Sequence, residues 1–246
     1  MKNLFAACAA LLLGAPLVAQ NTSSVYQSAM RPRALAVIGD RYHSPVYIRD
    51  GLAPVFAREN IPVTFLENDQ ALSAETLQEH QLLVILRDGM NWPNGYDKPY
   101  VQWMSEAQAK AISDFVQNGG GFLPLHNAQA IYPATYLNLL GGEYGGHPEP
   151  YVFTVRVENK NHPVAAGVED FEIFDEQHMV KYHMDREHLL LRSMSRANAA
   201  SQAGWWREVG KGRLCYLAPG HTPDALRHPM MQRLIGNAMR WCLKLE

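Results

Sequence analysis

Histidine side chains follow three apolar segments of this chain that have the length and composition of buried strands. His126 comes directly after residues 122–125, His43 lies shortly after residues 34–39, and His221 follows residues 213–217. In an open α/β sheet, ligands bind outside the carboxyl ends of the strands. If these three strands are parallel neighbours, their imidazoles converge at one edge of the sheet.

Two carboxylates and a further histidine stand close together at residues 175–178, which read Asp-Glu-Gln-His. Carboxylate and neutral imidazole are ligands that suit zinc or another divalent transition metal such as manganese. The same groups can act as general acid and base, because histidine titrates near neutral pH. The candidate catalytic residues are therefore His126, Glu176, His221 and Asp175. The first three are also the candidate metal ligands, and the residues alone leave the two roles open.

Other kinds of chemistry have no support in the sequence. The chain contains no Gly-x-Ser-x-Gly turn and no glycine-rich phosphate loop with a lysine, so we expect no nucleotide cofactor. The three glycines at 119–121 end a helical pattern and precede a strand, which is the reverse of the order in a phosphate-binding turn. The formal net charge of −2 gives no electrostatic reason to expect nucleic acid or an anionic membrane as a partner.

The first half of the chain alternates apolar segments with helical patterns. Strands are expected at residues 34–39, 63–66, 82–86 and 122–125. Helices are expected at residues 46–59, from Ser73, and from the capping box formed by Ser105 and Gln108. This alternation is typical of an α/β fold with a doubly wound, mostly parallel sheet flanked by helices.

A long loop, residues 88–104, interrupts this alternation and is rich in aromatic side chains. It contains Trp92, Tyr96, Tyr100 and Trp103. Loops of this length in compact domains tend to be functional or mobile. Aromatic faces stack well on sugar rings, but such side chains equally often pack a loop against the core, and both interpretations stay open.

The second half of the chain has the sequence pattern of successive strands rather than of alternating strands and helices. Strands are expected at residues 151–157, 171–174 and 189–191, and a hairpin at residues 205–217 turns at Gly210-Lys211-Gly212. A final helix is expected at residues 229–243. These strands fit as an extension of one edge of the sheet, without a separate domain.

The N-terminal 20 residues have the pattern of a secretory signal peptide, with Lys2 before an apolar stretch at residues 4–18 and cleavage expected after Ala19 or Gln20. The alternative is a buried N-terminal helix. We expect a linker at residues 21–32, a periplasmic or secreted mature protein, and no membrane segment in it. The remaining cysteines, Cys215 and Cys242, lie in apolar surroundings and are expected to be free thiols rather than a disulfide.

An ordered set of motifs resembles the ThuA-like family, the trehalose-utilisation proteins. The motifs are Gly-Gly-Gly-Phe-x-x-x-His at 119–126, Gly142-x-x-x-Gly146-His147-Pro148, His162-Pro163, Asp175-Glu176, Trp206-x-x-x-Gly210-Lys211-Gly212-Arg213 and Gly220-His221. The resemblance makes residues 33–246 one ThuA-like domain. It implies a flavodoxin-like fold related to class I glutamine amidotransferases, with the C-terminal strands as additions.

The resemblance also implies a role with disaccharides such as trehalose and their 3-keto derivatives. The polar positions of the family correspond here to His43, His126, His147, Asp175, Glu176 and His221. This chain departs from the pattern at His178, where relatives commonly carry tyrosine. The turn at which the amidotransferases carry a cysteine holds His126, so thiol-dependent glutamine hydrolysis is excluded.

Together these observations favour a secreted or periplasmic protein of carbohydrate metabolism that binds a small carbohydrate. As an enzyme it would act on a glycoside or 3-keto-sugar, by isomerisation or by elimination or hydrolysis. The expected substrate-binding residues are His43, His147, Trp92 and Trp206. The alternative is a non-catalytic sugar-binding module, and a homo-oligomer is possible in either case.

Overall fold

The computed structural model describes residues 31–95 and 99–245. The expected signal peptide at residues 1–20, most of the expected linker and Tyr96 lie outside the described residues. Within these ranges, no helix is long and apolar enough to cross a lipid bilayer.

The first half of the domain alternates strands and helices, as the sequence predicts. Its elements are β1 (Ala34–Ile38), α1 (Pro45–Arg58), β2 (Val63–Leu66), α2 (Ala74–Gln78), β3 (Leu82–Leu86), β4 (Met90–Asn91), β5 (Val101–Gln102), α3 (Glu106–Gln117) and β6 (Gly121–Pro124). The expected capping box begins α3, since Ser105 and Gln108 each accept a hydrogen bond from the other's backbone amide. Strands β1, β3 and β6 are fully buried, which is typical of parallel strands covered on both faces.

The second half adds mainly antiparallel strands and the closing helices. Its elements are α4 (Ala134–Leu140), β7 (Gly142–Gly146), β8 (Tyr151–Val157), β9 (Phe171–Asp175), β10 (Met179–Tyr182), β11 (Leu189–Met194), β12 (Ala200–Val209), β13 (Gly212–Leu217), α5 (Pro223–Arg227) and α6 (Pro229–Cys242). Cys215 and Cys242 are both buried and free, as expected.

Nine of the strands in the described residues form one mixed sheet in the order β2-β1-β3-β6-β13-β12-β11-β8-β9. The first five strands are parallel and the other four continue the sheet in antiparallel pairs. Helices α1, α5 and α6 pack together, as do α2, α3 and α4, and the sheet is flanked by helices. The predicted α/β class, with extra strands from the C-terminal half, is confirmed.

Four elements of the second half, namely α4, β7, β10 and α5, and one strand pair of the first half were not predicted from the sequence. Helix α4 begins after Pro133 and ends at Gly141, whose φ of 80° is the left-handed conformation of a helix C-terminus. Strand β7 is rich in glycine, which has low strand propensity, and it forms only by pairing with β10 more than thirty residues later. The long loop also contains a small antiparallel pair, β4 with β5.

A buried ion pair fixes the segment after β2 to the end of β3. Arg87 donates to the Asp69 carboxylate at 2.7 Å, and both side chains are almost fully buried. The Arg87 guanidinium also donates to Asn91 and to the backbone carbonyl of Gly39. This network holds together the loops that follow β1, β2 and β3.

We expect Asp69→Ala to destabilise the fold by about 3–5 kcal/mol, because it leaves the buried Arg87 charge without its partner. Urea denaturation followed by circular dichroism measures this loss. The control is Asp114→Ala, which removes an exposed carboxylate paired with Lys110 and should cost less than about 1 kcal/mol. Equal losses in the two variants would contradict the assignment of Arg87–Asp69 as a structural ion pair.

Candidate active site

Four neighbouring parallel strands end at the same edge of the sheet, and each is followed by polar side chains. His43 follows β1, Asp88 follows β3, His126 follows β6 and His221 follows β13. All four line one cavity of about 440 Å³. The geometry agrees with the general position of ligand sites in open α/β sheets.

Four imidazoles surround the Glu176 carboxylate inside this cavity. The distances from Glu176 Oε2 are 3.3 Å to His221 Nδ1, 3.4 Å to His147 Nε2, 3.5 Å to His178 Nε2 and 3.6 Å to His126 Nε2. Burial acts to raise the pKa of Glu176, but His126, His178 and His221 outweigh it and hold the pKa well below its usual range. Glu176 is therefore an ionised carboxylate at neutral pH, and the expected convergence of the site residues is observed.

His126 occupies a strained turn directly after β6. Its φ is 48°, an uncommon conformation for a residue other than glycine. The backbone is fixed on both sides, because its amide donates to Leu217 and its carbonyl accepts a hydrogen bond from the Tyr216 hydroxyl. Local strain that the surroundings enforce in this way is a feature of functional sites.

The tautomer of His126 follows from its hydrogen bond to the backbone. Nδ1 lies 2.9 Å from the carbonyl oxygen of Ala218, which can only accept, so Nδ1 carries the proton. In the neutral ring, Nε2 then presents its lone pair toward Glu176. This nitrogen is buried and has no hydrogen-bond partner among the described residues.

A buried carboxylate, Asp40, holds His43 in place. Asp40 Oδ1 lies 2.8 Å from His43 Nδ1, and the carboxylate also accepts hydrogen bonds from the backbone amides of Tyr42, His43 and Asp88 and from the Asn127 side chain. Burial opposes ionisation, but the hydrogen bond and charge of His43, with the other donors, lower the pKa of Asp40 to about 2. An ionised Asp40 accepts the Nδ1 proton of His43 and directs Nε2 into the cavity.

His43 is linked in turn to His221, since His43 Nε2 lies 3.0 Å from His221 Nδ1. Burial, and then the neighbouring His126, lower the pKa of His221 to about 4. Burial likewise holds the pKa of His178 well below its usual value. Both rings are therefore neutral at pH 7, the form in which imidazole accepts a proton or binds a metal.

Asp175 lies beside the cavity rather than among the residues that line it. Its two oxygens accept hydrogen bonds from the backbone amides of Gly220, at 2.7 Å, and Thr222, at 2.9 Å. Burial raises the pKa of Asp175 to about 6. The carboxyl group thereby fixes the loop that carries His221, so the structure gives Asp175 a positioning role where the sequence suggested direct catalysis.

The two tryptophans expected to bind substrate do not line the cavity. Trp92 stacks on the Arg41 guanidinium and contacts Tyr42 and Tyr100, and it is these two tyrosines that reach the cavity wall. Trp206 lies in a different aromatic cluster, with His162, His188 and Trp241. Successive residues of a strand point to opposite faces of the sheet. On β12, Trp205 packs on Tyr216, so the side chain of Trp206 points to the other face, away from the site.

Several residues of the site were not identified from the sequence. They are Asp40, Asp88 and Asn127, and His178 was noted in the group at residues 175–178 without being chosen as a site residue. Asp40 and Asp88 each stand two residues after a buried strand, so the rule that selected the histidines would have found them. His178 was noted as a departure from the family pattern, but its buried position beside Glu176 depends on the tertiary structure.

The family model ThuA, described as trehalose utilisation, matches residues 17–242. The match spans most of the chain, which therefore belongs to the ThuA family, as the sequence motifs predicted. A search of functionally curated proteins returns no match.

Solved structures share this fold at low sequence identity. A ThuA-like protein from Bacteroides uniformis superposes with a TM-score of 0.66 at 20% identity, covering 89% of this chain and 94% of that one. A ThuA-like protein from Parabacteroides merdae gives 0.66 at 15% identity, with 88% and 91% covered. A glutamine amidotransferase from Thermotoga maritima gives 0.55 at 14% identity, with 87% and 99% covered, so the expected relation to the amidotransferase fold is confirmed.

We expect Asp40→Asn to destabilise the protein by about 2 kcal/mol at neutral pH, in line with a carboxyl pKa lowered from 3.8 to about 2. Because the folded-state pKa is the lower one, this stabilisation is present above about pH 4 and is lost as the pH falls through about 2. Urea denaturation of wild type and variant across that range measures the difference. A difference that stays constant with pH would refute the ionised Asp40–His43 pair.

Proposed function

We propose that this protein is an enzyme that acts on a 3-keto-sugar or a related glycoside. The observation that supports it most directly is the cavity in which Asp40–His43, His221 and Glu176 present acid–base groups together. The family's link to trehalose utilisation supports a sugar substrate. The cavity of about 440 Å³ lies within the range of small-molecule sites.

Isomerisation and elimination of a keto-sugar share their first step, the removal of a proton from the carbon beside the carbonyl group. His43 is suited to accept this proton, because Asp40 holds its Nδ1 and Nε2 faces the cavity. Asp40 also stabilises the imidazolium that forms, in the manner of the carboxylate in a catalytic triad. His221 Nδ1 lies 3.0 Å from Nε2 and orients the His43 ring from the side opposite Asp40.

We expect wild-type protein in D₂O to catalyse exchange of the hydrogen next to the carbonyl of 3-keto-trehalose, measured by NMR. His43→Gln and Glu176→Gln should lower the exchange rate by about 100-fold or more, since general acid–base groups contribute factors of this size. His183→Gln, a change of an exposed histidine outside the cavity, is the control. Wild-type protein that turns over neither keto-sugar nor glycoside would rule out the proposed activity.

The sequence predicts a divalent cation at His126, Glu176 and His221, and we propose one held by His126, Glu176 and His178, whose ligand atoms lie within 4.8 Å of one another. Ligand atoms around a tetrahedral ion with bonds of about 2.1 Å are about 3.4 Å apart. The distances of 3.3–3.6 Å between Glu176 Oε2 and the four imidazole nitrogens are of this size. The buried, unpartnered Nε2 of His126 and the neutral His178 support the same conclusion, and His178 joins the candidate ligands.

A cation held there would polarise a carbonyl or hydroxyl oxygen of the sugar. Without it, Asp40 orients the His43 ring and the Ala218 carbonyl orients the His126 ring. His147 and His221 lie at similar distances from Glu176 Oε2 and complete the ring of imidazoles around that carboxylate.

Purified protein should bind about one equivalent of zinc or manganese, and chelation should lower its melting temperature. Inductively coupled plasma emission spectroscopy measures the bound metal. Thermal denaturation before and after addition of a chelator measures the change in melting temperature. Glu176→Gln and His178→Ala should bind less metal, whereas His183→Ala should match wild type. No stoichiometric metal, together with full activity in chelator, would exclude the metal centre.

The alternative function is that of a non-catalytic sugar-binding module, and the aromatic side chains in the cavity wall support it. Tyr42 and Tyr100 line it and are partly exposed, as residues that stack on sugar rings must be. Calorimetry with trehalose separates the two functions. Binding without turnover by wild type favours the module, whereas variants of His43 that keep binding but lose turnover favour the enzyme.

We also propose that the mature protein is periplasmic or secreted. The support is the sequence of residues 1–20, with its basic start and apolar stretch. Mass spectrometry of the protein from fractionated cells should find an N-terminus near residue 20. An intact N-terminus on cytoplasmic protein would exclude the proposal.

A further inference from the structure

Asp88 is a cavity residue for which the proposed site has no role so far. It follows β3, which lies between β1 and β6 in the sheet. Asp88 therefore stands between the strand that His43 follows and the strand that His126 follows. Its side chain is almost fully buried, yet the residue lines the cavity. A carboxyl group in this position can reach a ligand but has little contact with solvent.

Hydrogen bonds hold Asp88 in place and leave one of its oxygens free. Its amide donates to Asp40 Oδ2 and its carbonyl accepts from the Trp103 indole. Oδ1 accepts a hydrogen bond from the amide of Met90 at 2.8 Å. Among the described residues, no donor is hydrogen-bonded to Oδ2, which makes that oxygen available to a substrate.

Within residues 31–95 and 99–245, no cation forms an ion pair with Asp88. The neighbouring guanidinium of Arg87 is directed to Asp69, Asn91 and the Gly39 carbonyl. The nearest carboxylate, Asp40, is ionised and hydrogen-bonded to the Asp88 amide. Burial, and then the charge of Asp40, raise the pKa of Asp88 to about 7.

Other titratable groups surround Asp88 from each side. They are Asp40 and His43 after β1, Arg87 directly after β3, Tyr132 before α4, and, among the groups that line the same cavity, His126, His147, Glu176, His178 and His221. The imidazoles lie around Glu176, and the cation of Arg87 is paired with Asp69.

We infer that Asp88 is the acid that works opposite His43: an undissociated carboxyl group that donates its proton to the carbonyl oxygen of the sugar. This inference rests on the proposed keto-sugar activity. The C–H bond beside the carbonyl breaks and its proton moves to His43 Nε2. The electron pair forms the carbon–carbon double bond of an enediol, the carbonyl π pair moves to oxygen, and that oxygen takes the proton of Asp88.

Isomerisation then returns both residues to their starting states. The imidazolium of His43 delivers its proton to the former carbonyl carbon of the enediol. The hydroxyl on the carbon that lost its hydrogen then gives its proton back to Asp88 and becomes the new carbonyl oxygen. No oxidant, reductant or further reactant is needed. A fixed carboxyl group kept neutral by its surroundings is a known means of stabilising such an oxygen.

The test is Asp88→Asn, which keeps a hydrogen-bond donor in the same place but cannot transfer a proton. With 3-keto-trehalose in D₂O, the exchange rate should fall by about 100-fold or more, while KM stays near that of wild type. Asp114→Asn removes an exposed carboxyl group far from the cavity and is the control. An Asp88→Asn variant that exchanges as fast as wild type would overturn the inference.

A second measurement tests the state of the carboxyl group without turnover. Because the folded-state pKa of Asp88 is raised above 3.8 to about 7, wild type should lose stability relative to Asp88→Asn as the pH rises from about 4 to about 7. Melting temperatures of both proteins across this range give the difference. A difference that does not change with pH shows an ionised Asp88 and overturns the inference.

The two measurements separate failure of the inference from failure of the proposed function. If wild type exchanges no hydrogen of the keto-sugar, the proposed activity falls. The pH-dependent stability then still reports, independently of turnover, whether the Asp88 carboxyl group is undissociated. If wild type and Asp88→Asn both exchange the hydrogen of the keto-sugar at the same rate, the proposed activity stands and Asp88 is not the acid of the reaction.

Discussion

The Asp40 carboxylate is the interaction on which the rest of the site depends. It accepts hydrogen bonds from the segments that follow three neighbouring parallel strands, namely Tyr42 and His43 after β1, Asp88 after β3 and Asn127 after β6. A single buried charge thus fixes three loops relative to one another. The number of donors explains why Asp40 stays ionised inside the protein.

Asp175 has the corresponding role on the other side of the cavity. In the sheet order, β9 is separated from β13 by β12, β11 and β8, yet Asp175 at the end of β9 binds the backbone after β13. The antiparallel extension therefore returns to the edge where the parallel strands end. This return brings Glu176 and His178 beside His126 and His221, and it completes a site that the parallel strands alone would leave open on one side.

The turn at His126 relates this site to the amidotransferase fold. The residue after β6 is held in a left-handed conformation, with its carbonyl bonded to Tyr216 and its ring bonded to Ala218. A thiol at such a turn would be a nucleophile, whereas His126, with its proton on Nδ1, presents an Nε2 lone pair that can bind a metal or accept a proton. The turn thus supplies the position in this fold, and the side chain placed there supplies the chemical groups.

Local patterns in the sequence were sufficient for the parallel half of the fold. Strands β1, β3 and β6 are short, apolar and bounded by glycine or polar residues, and the Ser105 capping box begins its helix as expected. The placement of His43, His126 and His221 at one edge followed from the same patterns. Strand β7 could not be found in this way, because its glycines favour a strand only once β10 pairs with them.

The sequence by itself determined the class of fold, the family and the convergence of three histidines, because the strand ends of a parallel sheet share one edge. Only the tertiary structure decided which neighbours complete the site. It added Asp40, Asp88 and His178, moved Asp175 to a supporting position, and placed Trp206 in a different cluster. These outcomes depend on contacts between residues far apart in the chain and on the face of the strand that each side chain occupies, and no local pattern contains that information.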